Sequence, residues 1–345
     1  MEIREAIPKG LALFQYFVLP ERLLIWRFHA GETRLWEVSV DRERLQERLE
    51  SFVRELQAGR DSGASPVLYD LLLRGPLEGL PPATELIFVP DRSLNSLPFA
   101  ALRDRQTSRY LIENHPLGYA LSASRFLADL DRKSGRDSVP ASITTLGFGK
   151  PKFSESAGVR LNRLPFTESE AVDIANIYSK RRVLLGRLAT RSAFVRALGE
   201  SEVVHFAGHG IFNSEAPLNS GIVLAGAESS EDGMVLTARN IPDLSDSRLR
   251  LLVLSACNTS AGDGRRVEGM TGIAEILLAR GVPAVLSSQW EVNDSVTKEL
   301  FVNFHHNLTE GLFGRRSLQL AQVLLLRESN ASVKHWASYR VTGEI

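Results

Sequence analysis

From residue 144 onward, short apolar runs alternate with segments that repeat apolar residues at helical spacing. The runs at 144–149, 183–185, 203–206, 251–256 and 284–290 are nearly continuous in apolar residues rather than alternating. That is the pattern of strands covered on both faces, and strands joined through helices run parallel. Helices are expected over 167–178, 190–198, 268–280, 294–309 and 315–327, with Thr190 placed to cap the second and Gly281 to end the third. A last strand is expected over 336–341. This half of the chain reads as an α/β fold, a mostly parallel sheet with helices on both faces. Such sheets bind ligands beyond the carboxyl ends of their strands.

The first half has a different rhythm. Residues 11–19, 23–28 and 33–40 are rich in aromatic and β-branched residues and are broken by Pro20-Glu21 and Gly31-Glu32, which predicts a small antiparallel meander. A helix is expected over 42–57, with Leu45, Leu49, Phe52, Val53 and Leu56 on its apolar stripe. Residues 67–73 read as helical, 86–89 as a short buried strand, 111–121 as extended and 123–132 as helical. The charged stretch Lys133 to Ala141 reads as a linker. It separates a first domain, residues 1–135, from a second, residues 142–345.

Bulk properties exclude several classes of function. Lys plus Arg equals Asp plus Glu at 41 each, so there is no electrostatic footprint for nucleic acid or an anionic membrane. Hydrophobic residues make up 43% of the chain, enough for a substantial core. One cysteine excludes an internal disulfide and suits a reducing compartment. The N-terminus lacks a basic region followed by an apolar one, and no uncharged apolar stretch is long enough to span a bilayer. The expectation is a soluble cytoplasmic protein. Scattered histidines and one cysteine lack metal-ligand spacing, and no phosphate loop is present, so neither metal nor cofactor is expected.

Two strand ends carry reactive side chains. Cys257 closes the run Leu251 to Ala256, and His209 follows Val203-Val204-His205-Phe206-Ala207-Gly208. A thiol attacks as thiolate and needs a partner to take its proton, so the pair reads as nucleophile and imidazole base. The Gly210 and Cys257 backbone N–H groups are the expected oxyanion donors. Each residue also has a plainer reading: Cys257 as a small buried hydrophobe, His209 as a loop or capping residue. His205 reads as a packed core side chain, and His305-His306 as a solvated helix face. Trp290 is either a core tryptophan or the wall of a substrate cleft in which the Ser288 and Gln289 backbone pairs with an extended peptide. Asp294 reads as a helix cap or as an acid facing a basic substrate side chain. Asp263, Glu268 and Ser255 complete the candidate pocket, Ser255 because strand side chains alternate and it shares a side with Cys257.

These segments resemble the CHAT family, caspase-like peptidases related to separase and also found fused to tetratricopeptide repeats. The matching stretches are Val204 to Phe212, Val253 to Thr259, Gly262-Asp263 through Glu268-Gly269, Ala284 to Asp294 and Trp336 to Tyr339. In the first half, Tyr16 to Leu19, Tyr69 to Leu72, Val89 to Asp91 and Leu97 to Leu102 resemble the family's N-terminal region. The resemblance implies a caspase-like α/β fold whose His–Cys dyad is His209 and Cys257. It implies that the first half is a smaller, catalytically silent caspase-like α/β domain, which agrees with its lack of cysteine. The chain opens close to where the family's domain opens, which suits a stand-alone member or an excised domain equally.

The function expected is a cysteine endopeptidase acting on protein substrates, regulated by a partner protein or effector complex, as in bacterial defence or signalling. The alternatives are a catalytically silent interaction scaffold and a thiol hydrolase of small amides.

Overall fold

The computed structural model describes residues 6–132, 138–150, 161–211, 213, 216–226, 235–258, 271–292, 294–312, 314–328 and 331–344. They fall into two compact units, Met1–Asp137 with Leu318–Glu344, and Ser138–Ser317. The first division coincides with the charged stretch read as a linker. The second falls inside the helix Gly314–Glu328 and has no counterpart in the sequence reading, which carried the second domain to residue 345. The chain after 317 joins the first unit through contacts that no local pattern encodes. Gln319 donates to the Ile112 carbonyl at 2.7 Å, and Arg340 donates to the Asn95 carbonyl at 2.8 Å.

The first unit is built on the expected meander. Strands β1 (Leu11–Val18), β2 (Arg22–His29) and β3 (Glu32–Ser39) pair antiparallel in sequence. Strand β4 (Glu85–Val89) lies parallel to β1, β5 (Leu117–Tyr119) parallel to β4, and β13 (Tyr339–Gly343) parallel to β5. One face packs aromatic residues, with Phe88 stacked on Phe99 at 4.0 Å and Tyr16 at 5.6 Å from Phe99. The other buries Leu11, Leu13, Ile87 and Val89 with Ala123 and Phe126 of the helix Ala123–Arg132. The helix Arg42–Gln57 buries the five residues its spacing singles out. Residues 111–121 are not extended throughout. Leu111–Asn114 is a helical turn because the Glu113 carboxylate accepts from the Tyr110 N–H at 2.9 Å and closes it.

The second unit is the parallel sheet. Its strands are β6 (Ser142–Phe148), β7 (Lys180–Leu185), β8 (Val203–Ile211), β11 (Leu251–Asn258) and β12 (Ala284–Ser288), parallel in the order β7-β6-β8-β11-β12. Strand β9 (Gly221–Val223) pairs antiparallel with the end of β8, and β10 (Val235–Thr237) antiparallel with β9. Both faces of β8 are covered, so its first eight residues are buried, as a continuous apolar run requires. On one face Phe206 meets Phe194 of the helix Arg191–Glu200, and Leu252 and Leu254 share a cluster with Ile273 and Leu277 of the helix Thr271–Ala279. On the other, His205 meets Phe301 of the helix Asp294–Thr309, which packs against the helix Thr167–Ile177.

Candidate active site

The site grows out of two adjacent strand ends. Strands β8 and β11 pair in parallel register from Val203↔Leu251 to Gly210↔Asn258, and that register sets His209 opposite Cys257. Neighbouring strands lie about 4.8 Å apart, so paired positions are immediate neighbours. On the other side of β8, glycine at 208 leaves room for β6, because a Cβ there would sit 2.6 Å from the Phe206 ring and 3.0 Å from the Phe148 carbonyl.

His209 is 1% exposed, and neither ring nitrogen has a hydrogen-bond partner among the described residues. Burial pushes its pKa below the ordinary histidine value, and the Asn162 backbone facing the ring partly offsets this. A neutral, sealed imidazole with an open lone pair can accept a proton from a neighbour. Nothing in the sequence pattern signalled Asn162.

The remaining predicted residues divide. Ser255 precedes Cys257 by two residues on β11 and is buried. Ser288 ends β12, the strand beside β11, Gln289 and Trp290 follow it, and all three are buried; the Ser288 hydroxyl donates to the Ala256 carbonyl at 3.3 Å. Gly210 has register partners on both sides, Ile222 and Asn258. Asp294 is the first residue of its helix. Asp263 and Glu268 lie outside the described residues. His205 is buried in the core as expected. His305 corrects the reading of a solvated pair: it is fully buried, and only His306 is exposed. Leu300, Phe301, Phe304 and Leu308 form the buried stripe of this helix, and His305 follows Phe301 by one turn, a spacing that places it inside.

A family model described as CHAT domain matches residues 64–344. The chain belongs to the CHAT domain family. It is 27% identical to tetratricopeptide repeat protein 28 of Mus musculus over 325 residues, 80% of this chain, and 25% identical to the Homo sapiens protein of that name over 324 residues. It spans 13% of the length of each. Two crystal structures of the Saccharomyces cerevisiae separase–securin complex match with TM-scores of 0.57 and 0.59, covering 99% of this chain and 30% of the matched chain. At 9% identity that likeness concerns the fold alone. This CHAT domain therefore has the caspase-like α/β fold, with a mostly parallel sheet. Among its described residues no helix is long and apolar enough to cross a membrane.

Proposed function

We propose that this CHAT domain is a cysteine endopeptidase that cleaves protein substrates through His209 and Cys257. The register that pairs these two residues on adjacent parallel strands is the observation that carries the reading. In the reaction His209 takes the thiol proton as sulfur attacks the scissile carbonyl carbon. The Gly210 and Cys257 backbone N–H groups hold the oxyanion. As the C–N bond breaks, the imidazolium gives its proton to the leaving amine, and a water deprotonated by the same imidazole then hydrolyses the thioester. Ser255, Asp263, Glu268, Ser288, Gln289, Trp290 and Asp294 make up the substrate-binding region, with the peptide extended along the end of β12.

The 1% exposure of His209 supports a second element, activation by a protein partner or effector complex that opens the site. A separase of this fold was solved in complex with securin, which makes a protein partner a reasonable object of search, in bacterial defence or another signalling setting. The same burial favours, as the alternative, a silent interaction scaffold.

Labelling with an electrophilic peptide probe decides between them, with and without candidate partners. Modification of Cys257, and new protein N-termini that appear with the parent chain but not with Cys257→Ala, are expected. Retained cleavage by Cys257→Ala would end the proposal, and no labelling under any condition would favour the scaffold.

A further inference from the structure

The sheet face that carries His209 holds a second set of titratable side chains that the chemistry above does not use. Glu170, His205 and His305 are fully buried. His205 Nε2 lies 2.8 Å from Glu170 Oε1, His205 Nδ1 lies 3.1 Å from His305 Nε2, and His305 Nδ1 lies 2.8 Å from the Tyr178 hydroxyl. Phe301 and Phe304 close over the rings edge-on, at 5.3 Å from His205 and 5.2 Å from His305. The second Glu170 oxygen and the hydroxyl of Thr145, the register partner of His205 on β6, are buried without a hydrogen-bond partner among the described residues.

Stability alone does not account for this arrangement. Apolar residues of similar volume hold two helices on a sheet as well or better, and buried polar atoms without partners cost free energy. What a hydrogen-bonded chain adds is a single permitted arrangement. Burial, followed by the charges of His205 and His306, pushes the His305 pKa well below the usual histidine range, so its ring is neutral, with one nitrogen donating and the other accepting. Burial also raises the Tyr178 pKa, which keeps that hydroxyl protonated. With a neutral ring in the middle, the bonds on its two sides must point the same way. Either Tyr178 donates to His305 and His305 donates to His205, or both bonds reverse together. The chain therefore behaves as one unit.

Three elements meet in it, and each leads to the site. Glu170 lies on the helix Thr167–Ile177, whose leading segment sets Asn162 against His209. His305 lies on the helix Asp294–Thr309, which begins four residues after Trp290. His205 shares a strand face with His209. Four residues of strand span about 13 Å, so His205 cannot reach the reacting atoms. We propose that Glu170, His205, His305 and Tyr178 are positioning residues, whose chain fixes the two helices on β8 and thereby the walls contributed by Asn162 and Trp290 around His209. The inference rests on the His209–Cys257 reading.

The test is the rate of Cys257 alkylation by iodoacetamide between pH 5 and 9 on the full chain, where the only thiol is Cys257. His305→Phe severs the chain at its centre, His305→Gln returns an amide able to reach His205, and Glu170→Gln keeps a polar partner at the other end. The expected result is a rate lowered about tenfold with a displaced pH midpoint in His305→Phe, as a small misplacement of reacting groups produces, and recovery of most of the loss in His305→Gln. Unfolding midpoints identify any variant that has lost its fold; if His305→Phe does so, Glu170→Gln decides, and it is expected to shift the pH midpoint measurably. Rates and pH profiles of folded His305→Phe and Glu170→Gln that superimpose on the parent's would overturn the proposal. A parent profile left unchanged by His209→Ala is a different failure: it removes the dyad reading itself.

Discussion

Gly149 has no side chain because another stretch of backbone occupies that space. A Cβ at this position would overlap the Leu164 carbonyl oxygen and the Thr167 hydroxyl, and one at Gly147 would lie 2.9 Å from the Thr167 carbonyl. The Leu164 N–H donates to the Gly149 carbonyl at 2.9 Å, so the segment that brings Asn162 to His209 is seated on these two glycines. Gly149→Ala is expected to lower stability by about 1–3 kcal/mol, the usual cost of overpacking against backbone that cannot rotate away. Gly199→Ala is the control. A Cβ there meets nothing within 4 Å, and the residue lies in the helix Arg191–Glu200, so stability should hold or rise by up to about 1 kcal/mol. Urea midpoints of the two variants check both signs. Neither glycine was legible as a contact, since the atoms it admits belong to residues far along the chain. The pairing of His209 with Cys257 followed more directly from the sequence, because two apolar runs ending in reactive side chains constrain where parallel strands stop. His305 was misread for the opposite reason: its polar character outweighed its place on an apolar stripe.

Among the elements, those with a self-contained signal came through best. The helix Arg191–Glu200 begins where Thr190 predicts, and its hydroxyl accepts from the Ala193 N–H at 3.2 Å. Thr190→Ala is expected to cost about 1 kcal/mol, the ordinary loss of an N-cap, visible as a lower thermal midpoint. Thr190→Asn should avoid most of that loss. Elements that depend on distant partners were displaced. The last strand was expected over 336–341 and runs over Tyr339–Gly343, because Val333–Trp336 first makes a helical turn whose start is capped by Ser332, accepting from the Lys334 N–H at 3.3 Å. Gln322 then holds the Trp336 carbonyl at 2.7 Å. Both bonds tie the end of the chain to residues in its own unit. A pattern that reads only hydrophobic period sees Trp336 as the opening of a strand.

At the scale of the whole molecule, the buried histidines give each unit its own response to acid. His209 and His305 of Ser138–Ser317 have pKa values pushed down by burial, His305 well below the usual range. In the other unit, burial lowers His115 and the more open His335. A histidine whose folded pKa is depressed binds fewer protons folded than unfolded. Its penalty is absent above the unfolded value of about 6.5 and grows as pH falls below it, until the folded value is reached. Each such group removes up to about 1.4 kcal/mol per pH unit in that window, so stability falls from about pH 6.5 downward, before most carboxylates titrate. The penalty continues furthest where the folded pKa lies lowest, which is at His305. Thermal unfolding followed at pH 7.5, 6.0 and 5.0 should therefore show the transition of Ser138–Ser317 moving down more than that of the other unit. His305→Gln, which removes the most strongly depressed group, should flatten that dependence even where it lowers the midpoint at pH 7.5. Equal slopes in parent and variant would mean that the ring at 305 takes up no proton on unfolding in this range. His305 would then be protonated in the folded chain, donating on both sides rather than accepting on one.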